Sequence, residues 1–137
     1  MNAPCELVRD NYVREVDDMK NPLYKSFGYA FRGIGATIRS ERNIKIHCAA
    51  AALVVVFGLW LGLSKMEWMI CFVLFGQVIS LELVNTALEA VVDLVTQEWK
   101  PLAGKAKDAA AGAVLVSAIF AAVIGLMIFV PKLVALV

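Results

Sequence analysis

The chain has 137 residues, 61% of them hydrophobic and 18% charged, with a formal net charge of +1 and a mean hydropathy of +0.74. That balance lies far outside the usual mix of apolar and charged residues in water-soluble domains. It excludes a soluble enzyme and points to one all-α domain of integral-membrane type.

Residues 1–22 form an N-terminal extension of mixed charge ending at Pro22, expected as a mobile tail or a loosely attached helix. It holds Glu6, Asp10, Glu15, Asp17 and Asp18 and no apolar stretch, so a cleavable signal peptide is not expected. From Leu23 to Ser40, Leu23, Phe27, Phe31, Ile34 and Ile38 recur on nearly one helical face, with Lys25, Arg32 and Arg39 elsewhere. This predicts an amphipathic surface helix in the headgroup layer, with Gly28, Gly33 and Gly35 free to kink it or to let another backbone approach. Three runs then approach the ~20 residues that cross a ~30 Å hydrocarbon core. They are 46–63, 68–84 and 109–130, and the second is expected to continue as one helix to about Val95. Eight of the 13 Lys and Arg precede the first span and three lie from Lys100 to Lys107, leaving only Lys65 and Lys132. The positive-inside rule therefore puts the N-terminus and the second loop in the cytoplasm. Trp60 and Trp68 bracket the outer turn and Trp99 lies near the inner one, as interfacial anchors do. Pro101 and Gly104 read as breakers before the third helix, and Asp108 as a residue of that helix's first turn. Ala111, Gly112 and Ala113 suggest close helix packing, within the chain or between subunits.

The second span runs into Glu82, Asn85, Glu89 and Asp93. Offsets of three, seven and eleven put these side chains within roughly 80° of one another on a helix. Glu82 falls about 21 Å below Trp68, roughly 9 Å inside the cytoplasmic boundary of a 30 Å core. An acid at that depth is by default a functional site. Glu82 is placed to accept a proton from an alcohol, whereas Asn85 fits equally well as an interhelical hydrogen bonder. Glu41, just before the first span, could join Glu89, Asp93 and Asp108 in supplying hard oxygen ligands. Magnesium suits them, since it takes one or two carboxylates with phosphates and water. Lys107 can meet phosphate as a point charge. Trp99 and Ala106 stand where a P-loop needs Gly and Ser or Thr, so any ATP site is of another kind. His47 taken alone reads as an interfacial residue, Cys5, Cys48 and Cys71 as free thiols, and Arg32, Arg39, Arg42 and Lys45 as topological charges.

The run Leu81-Glu82-Leu83-Val84-Asn85-Thr86-Ala87-Leu88-Glu89-Ala90-Val91-Val92-Asp93, followed by Gly104-Lys105-Ala106-Lys107-Asp108, closely resembles the signature of prokaryotic diacylglycerol and undecaprenol kinases. The resemblance extends from about Tyr24 to Pro131. It implies a homotrimeric kinase of the bacterial cytoplasmic membrane, with active sites shared between subunits, that transfers the γ-phosphoryl of magnesium ATP to a lipid hydroxyl and has no nucleic-acid partner. By position, Glu82 resembles the general base and Asn85 a positioning neighbour, while Glu41 and Glu89 resemble the metal ligands. Tyr29, Asp93, Gly104, Lys107 and Asp108 fall where the family contacts nucleotide. Asn43, His47 and Trp60 fall where it lines the lipid site. Pro22 and Gly35 depart from the proteobacterial diacylglycerol kinases, which have basic residues there. Asp93-Leu94-Val95-Thr96 and Lys100-Pro101-Leu102-Ala103 instead resemble the undecaprenol kinase branch, which makes undecaprenol the expected acceptor and diacylglycerol the alternative. A small ion-coupled transporter would account for Glu82 but not for Glu41, Lys107 and Asp108. A purely structural oligomer would use the stripe as helix glue.

Overall fold

The computed structural model describes residues 23–136, and its four regular elements are all helices. They are α1 (Leu23–Ser40), α2 (Arg42–Trp60), α3 (Lys65–Val95) and α4 (Pro101–Val134). The expectations for residues 1–22, including the tail, Cys5 and Pro22, lie outside the described residues. The chain divides into two units, one reaching Ala36 and the other starting at Thr37.

In the first unit α1 is continuous through Gly28, Gly33 and Gly35, with no break in the helix at any of them. Among the described residues, a Cβ added at Gly28 or Gly35 would have no neighbour within 4 Å. Leu23, Phe27 and Phe31 are 79%, 64% and 71% exposed, leaving their apolar surface uncovered. The Arg32 guanidinium lies 5.7 Å from the centre of the Tyr29 ring, a cation–π distance.

In the second unit α2, α3 and α4 are each long and apolar enough to cross a membrane. Each helix starts earlier than hydropathy predicts, because polar residues can form a helix's first turns while only its middle needs to be apolar. For α2 these are Arg42, Asn43 and Lys45, preceded by Glu41 in extended backbone (φ −90°, ψ 131°). Gly62 then adopts φ 64°, a left-handed conformation that costs glycine little. The amides of Leu61 and Leu63 bond back to Phe57 and Gly58, closing α2. Two residues on, Ser64 opens α3 with a capping box: its hydroxyl accepts from the Glu67 amide, and the Glu67 carboxylate accepts from the Ser64 amide at 2.6 Å. Two such signals so close together make a tight turn between antiparallel neighbours.

Pro101, expected as a breaker, is instead the first residue of α4. Its missing N–H is one that a helix start leaves unpaired anyway, and its fixed φ suits the position. Gly104 and Asp108 therefore lie inside α4, so Asp108 is not a helix-start residue. α3 packs along α4 and also on α2. Its buried seam is Cys71, Val78, Glu82 and Asn85, and that of α4 is Ala110, Val114 and Ser117. The small-residue packing thus runs through Ala110, Val114 and Ser117, while Ala111 and Ala113 face outward. Gly58 lets α2 come close to α3, because a Cβ there would stand 2.9 Å from the Trp68 ring. At the same end, Lys132 of α4 pairs with Glu67 of α3 at 3.1 Å, tying the two helices together there. Most large apolar side chains remain exposed, as a lipid-facing surface requires.

Candidate functional site

Antiparallel connections bring the start of α2, the latter half of α3 and the start of α4 to one end of the bundle. Glu82 is 2% exposed there and Asn85 7%. The period of the helix puts both on the seam that also carries Cys71 and Val78, so the acid stripe turns inward toward α2 and α4 rather than toward lipid. The side chain of Asn43 on α2 reaches the Glu82 carboxyl, and Glu41, His47 and Glu89 lie close enough to act on its charge. The Thr86 hydroxyl donates to the Glu82 carbonyl at 3.0 Å. One turn further along, the Asn85 amide nitrogen donates to a Glu89 carboxylate oxygen at 2.9 Å. The Asn85 carbonyl oxygen is buried with no hydrogen-bond partner among the described residues. A buried acceptor left unpaired is costly, and one aimed at a cluster of acids suits a cation or a donor from substrate. Glu41 caps the start of α2 through its backbone position, and its carboxylate accepts from the Ser40 hydroxyl at 3.1 Å.

A second group lies where α3 meets α4. Lys107 donates to the Asp93 carboxylate at 2.5 Å, linking the two helices. Lysine has three donors, so this pair leaves Lys107 capacity for a phosphate oxygen. Asp93, Thr96, Trp99, Gly104 and Lys107 line an open cleft of about 270 Å³. An apolar cavity of about 190 Å³ lies between α2, α3 and α4, with His47, Ala51, Cys71, Val78 and Ala118 in its wall. His47 thus borders both the acid cluster and a space of hydrocarbon character.

Glu41, Asn43, His47, Glu82, Asn85 and Glu89 accordingly form one group, and Asp93, Gly104 and Lys107 another. Asp108 is exposed and does not line the cleft. Trp60 stands at the far end of α2, 64% exposed against Phe57, and thirteen residues beyond His47 put it about 20 Å away along the helix. Tyr29 belongs to the other unit. Two roles were not evident from residue types. The Lys45 ammonium donates to the Arg39 carbonyl at 2.8 Å, satisfying a carbonyl at the end of α1. Lys107 and Asp93, each of which suits a phosphate or metal, are bound to one another. The only available signal for the second was their opposite charge on adjoining helices.

Among the described residues no three His, Cys, Asp or Glu side chains gather closely enough to hold a metal by themselves. Apart from His47, the donors near Glu82 are hard oxygens, with the unpaired Asn85 carbonyl beside the Glu89 carboxylate. It fits a cation that takes few protein ligands and completes its shell with phosphate and water.

Three span-length helices with a buried carboxylate cluster at one end define an integral-membrane protein whose polar chemistry is gathered near one membrane face. A family model for prokaryotic diacylglycerol kinase matches residues 28–129. An undecaprenol kinase of Bacillus subtilis is 55% identical over 113 residues, covering 82% of this chain and 92% of its own. Diacylglycerol kinases of Synechocystis and of Escherichia coli K12 are 40% and 32% identical, covering 83% and 74% of this chain and 66% and 83% of their own. The chain belongs to the prokaryotic diacylglycerol kinase family, and it is a kinase.

Proposed function

We propose that this chain is an ATP-dependent lipid kinase that phosphorylates the hydroxyl of undecaprenol to undecaprenyl phosphate. The observation that carries the reading is the 55% identity to the undecaprenol kinase of Bacillus subtilis across nearly its full length. Its site is the cluster around Glu82, at the cytoplasmic side of a multi-pass protein whose N-terminus is also cytoplasmic. The basic residues before α2 and at the start of α4 support that orientation.

In the mechanism, the lipid hydroxyl enters from the membrane beside His47 and Asn43, with its hydrocarbon tail toward the apolar cavity. Glu82 accepts the hydroxyl proton as the lipid oxygen attacks the γ-phosphorus. The bond between that phosphorus and the β-γ bridging oxygen breaks, and ADP leaves with the bond's electron pair. Asn85 holds Glu89 in place through its amide nitrogen and offers its free carbonyl oxygen to the reacting groups. Lys107, steadied by Asp93, meets a phosphate oxygen, with Gly104 beside it in the cleft. Trp60, farther along α2, lines the lipid site along the hydrocarbon chain. Glu41 and Glu89 would hold magnesium, which when bound supplies charge neutralisation of the phosphates. The active form is a homotrimer with sites shared between neighbouring subunits, and α1 lies on the membrane surface through Leu23, Phe27 and Phe31.

The test is transfer of label from γ-labelled ATP in mixed micelles with magnesium, to undecaprenol and to a diacylglycerol side by side, with Glu82→Gln as control. Faster labelling of undecaprenol, lost in the variant, is expected. Faster labelling of diacylglycerol, which the relatives named diacylglycerol kinase make the competing acceptor, would overturn the substrate assignment and keep the chemistry.

A further inference from the structure

The apolar cavity between α2, α3 and α4 begins directly beyond the acid cluster. Ile79 in its wall lies three residues from Glu82, about 4.5 Å along α3, and Cys71 at its other end lies eleven, about 16 Å. His47 is the one side chain that the wall shares with the cluster, and apart from His47 and Cys71 the wall is hydrocarbon. Its width comes from small residues: α2 contributes Ala50 and Ala51, and α4 contributes Ala118, Ala121 and Ala122. Ala50 and Ala122 are exposed, so the space opens sideways between α2 and α4. Farther along α4 a Cβ added at Gly125, also in the wall, would meet nothing within 4 Å among the described residues. An apolar cavity of about 150 Å³ stays dry and takes a six-carbon ring. This one, at about 190 Å³, has room for one five-carbon isoprene unit and the start of the next.

We propose that this cavity receives the first isoprene unit of the acceptor and selects a methyl-branched polyprenyl chain over straight and ester-linked chains, with Ala122 and Gly125 setting the width. Hydrocarbon already surrounds the chain in a bilayer, so burying it gains little and the selection comes from fit. Two features of the fit decide it. In a polyprenol everything beyond the carbon that bears the hydroxyl is hydrocarbon, so a hydroxyl at Glu82 sends hydrocarbon straight into the cavity. In a diacylglycerol the ester oxygens stand within a few bonds of the hydroxyl, and a wall with no strong donor beyond His47 leaves them largely unpaired. The second feature is breadth. A methyl branch makes an isoprene unit wider than a straight chain, and the alanine-lined space matches that width, whereas a straight chain fills it loosely and forfeits contacts. The rest of the polyprenyl chain leaves through the opening between Ala50 and Ala122. The inference deepens the acceptor assignment proposed above and rests on that reading for the position of the hydroxyl.

The test uses the full-length chain in mixed micelles and compares, as acceptors, a prenol and a straight-chain primary alcohol of the same carbon number. The parent is expected to favour the prenol in kcat/KM by about tenfold, the low end of what one misfitting methylene is worth in an apolar pocket. Ala122→Leu and Gly125→Leu each put a larger side chain into the cavity, and either should remove that preference by slowing the prenol. Val116→Leu, on α4 outside the cavity wall, should retain it. Oligomer size is read for each variant by gel filtration. A second arm reads binding without chemistry: a prenol carrying a diazirine on its first isoprene unit should, on illumination, label the peptide that holds Ala118 and Gly125 in the parent and not in Ala122→Leu. Equal rates for the two alcohols in the parent, a preference that survives both cavity substitutions, or phosphorylation of undecaprenol with no label in that peptide would each overturn the inference and leave the kinase reading standing. Loss of the oligomer in Ala122→Leu with the preference intact would assign the space to a neighbouring copy and overturn it as well. Label in the cavity wall of a preparation that phosphorylates no lipid would uphold the chain site while removing the kinase assignment.

Discussion

Replacing Glu82 with glutamine tests the centre of the proposed chemistry with almost no change of shape. Glu82 is buried, which disfavours bulk water standing in as the proton acceptor. Asn43, the neighbour on α2 that reaches the Glu82 carboxyl, does not substitute for a carboxylate, because an amide has no useful basicity. A positioned general base contributes about 10²–10⁴ in rate, which corresponds to about 2.7–5.4 kcal/mol of barrier. In Glu82→Gln, kcat for lipid phosphorylation should fall by an amount within that range. The Lys107–Asp93 cleft begins eleven residues beyond Glu82, about 16 Å along α3, so KM for ATP should stay within twofold. Initial rates in mixed micelles at saturating lipid, with oligomer size checked by gel filtration, measure both quantities. A Glu82→Gln oligomer of normal size that retains kcat within tenfold of the parent would refute Glu82 as base. Loss of the oligomer together with activity would assign Glu82 a structural duty instead.

Other substitutions separate the remaining parts of the site. Glu89→Gln removes the charge of a proposed metal ligand while keeping an oxygen that can accept from the Asn85 amide, so half-maximal activity should need at least tenfold more magnesium, read from a magnesium titration at fixed ATP. Lys107→Gln breaks the pair with Asp93 and removes a phosphate contact, and should raise KM for ATP about tenfold, equivalent to about 1.4 kcal/mol, with KM for lipid unchanged. Gly58→Val places atoms where a Cβ alone would already stand 2.9 Å from a Trp68 ring that is stacked on Phe72. Overpacking of this kind costs about 1–3 kcal/mol, seen as a lower thermal midpoint in detergent, and a midpoint equal to the parent's would contradict the close approach of α2 and α3.

Much of the architecture is legible in the residues because a bilayer imposes a simple rule. Backbone polar groups must be satisfied within each segment, so an apolar run of sufficient length becomes a helix. That rule anticipates helical spans over 46–63, 68–95 and 109–130, and the period of 3.6 anticipates that Glu82, Asn85 and Glu89 share a face. Helix starts are less legible, since hydropathy is blind to polar first turns: Arg42 and Pro101 open helices that the apolar pattern begins at 46 and 109. Pro101 carries a signal for either loop or helix start, and only the conformation of Lys100 and the following turn resolves it. For the site, residue type at membrane depth suffices to single out Glu82. The partners that face it do not follow from type.

The sequence by itself determined that this chain is an all-helical membrane protein, where its helices run, and which helix carries the acids, because each of these depends on near-neighbour chemistry and on the thickness of a hydrocarbon core. Only the tertiary structure decided that Asn43 and His47 come to Glu82, that Lys107 binds Asp93 and that Lys132 reaches Glu67. Those outcomes depend on how far each helix is rotated about its axis against its neighbours. That rotation is set by the fit of seams such as Cys71-Val78 against Ala110-Val114 and of Gly58 against Trp68, a property of packed surfaces rather than of any one segment.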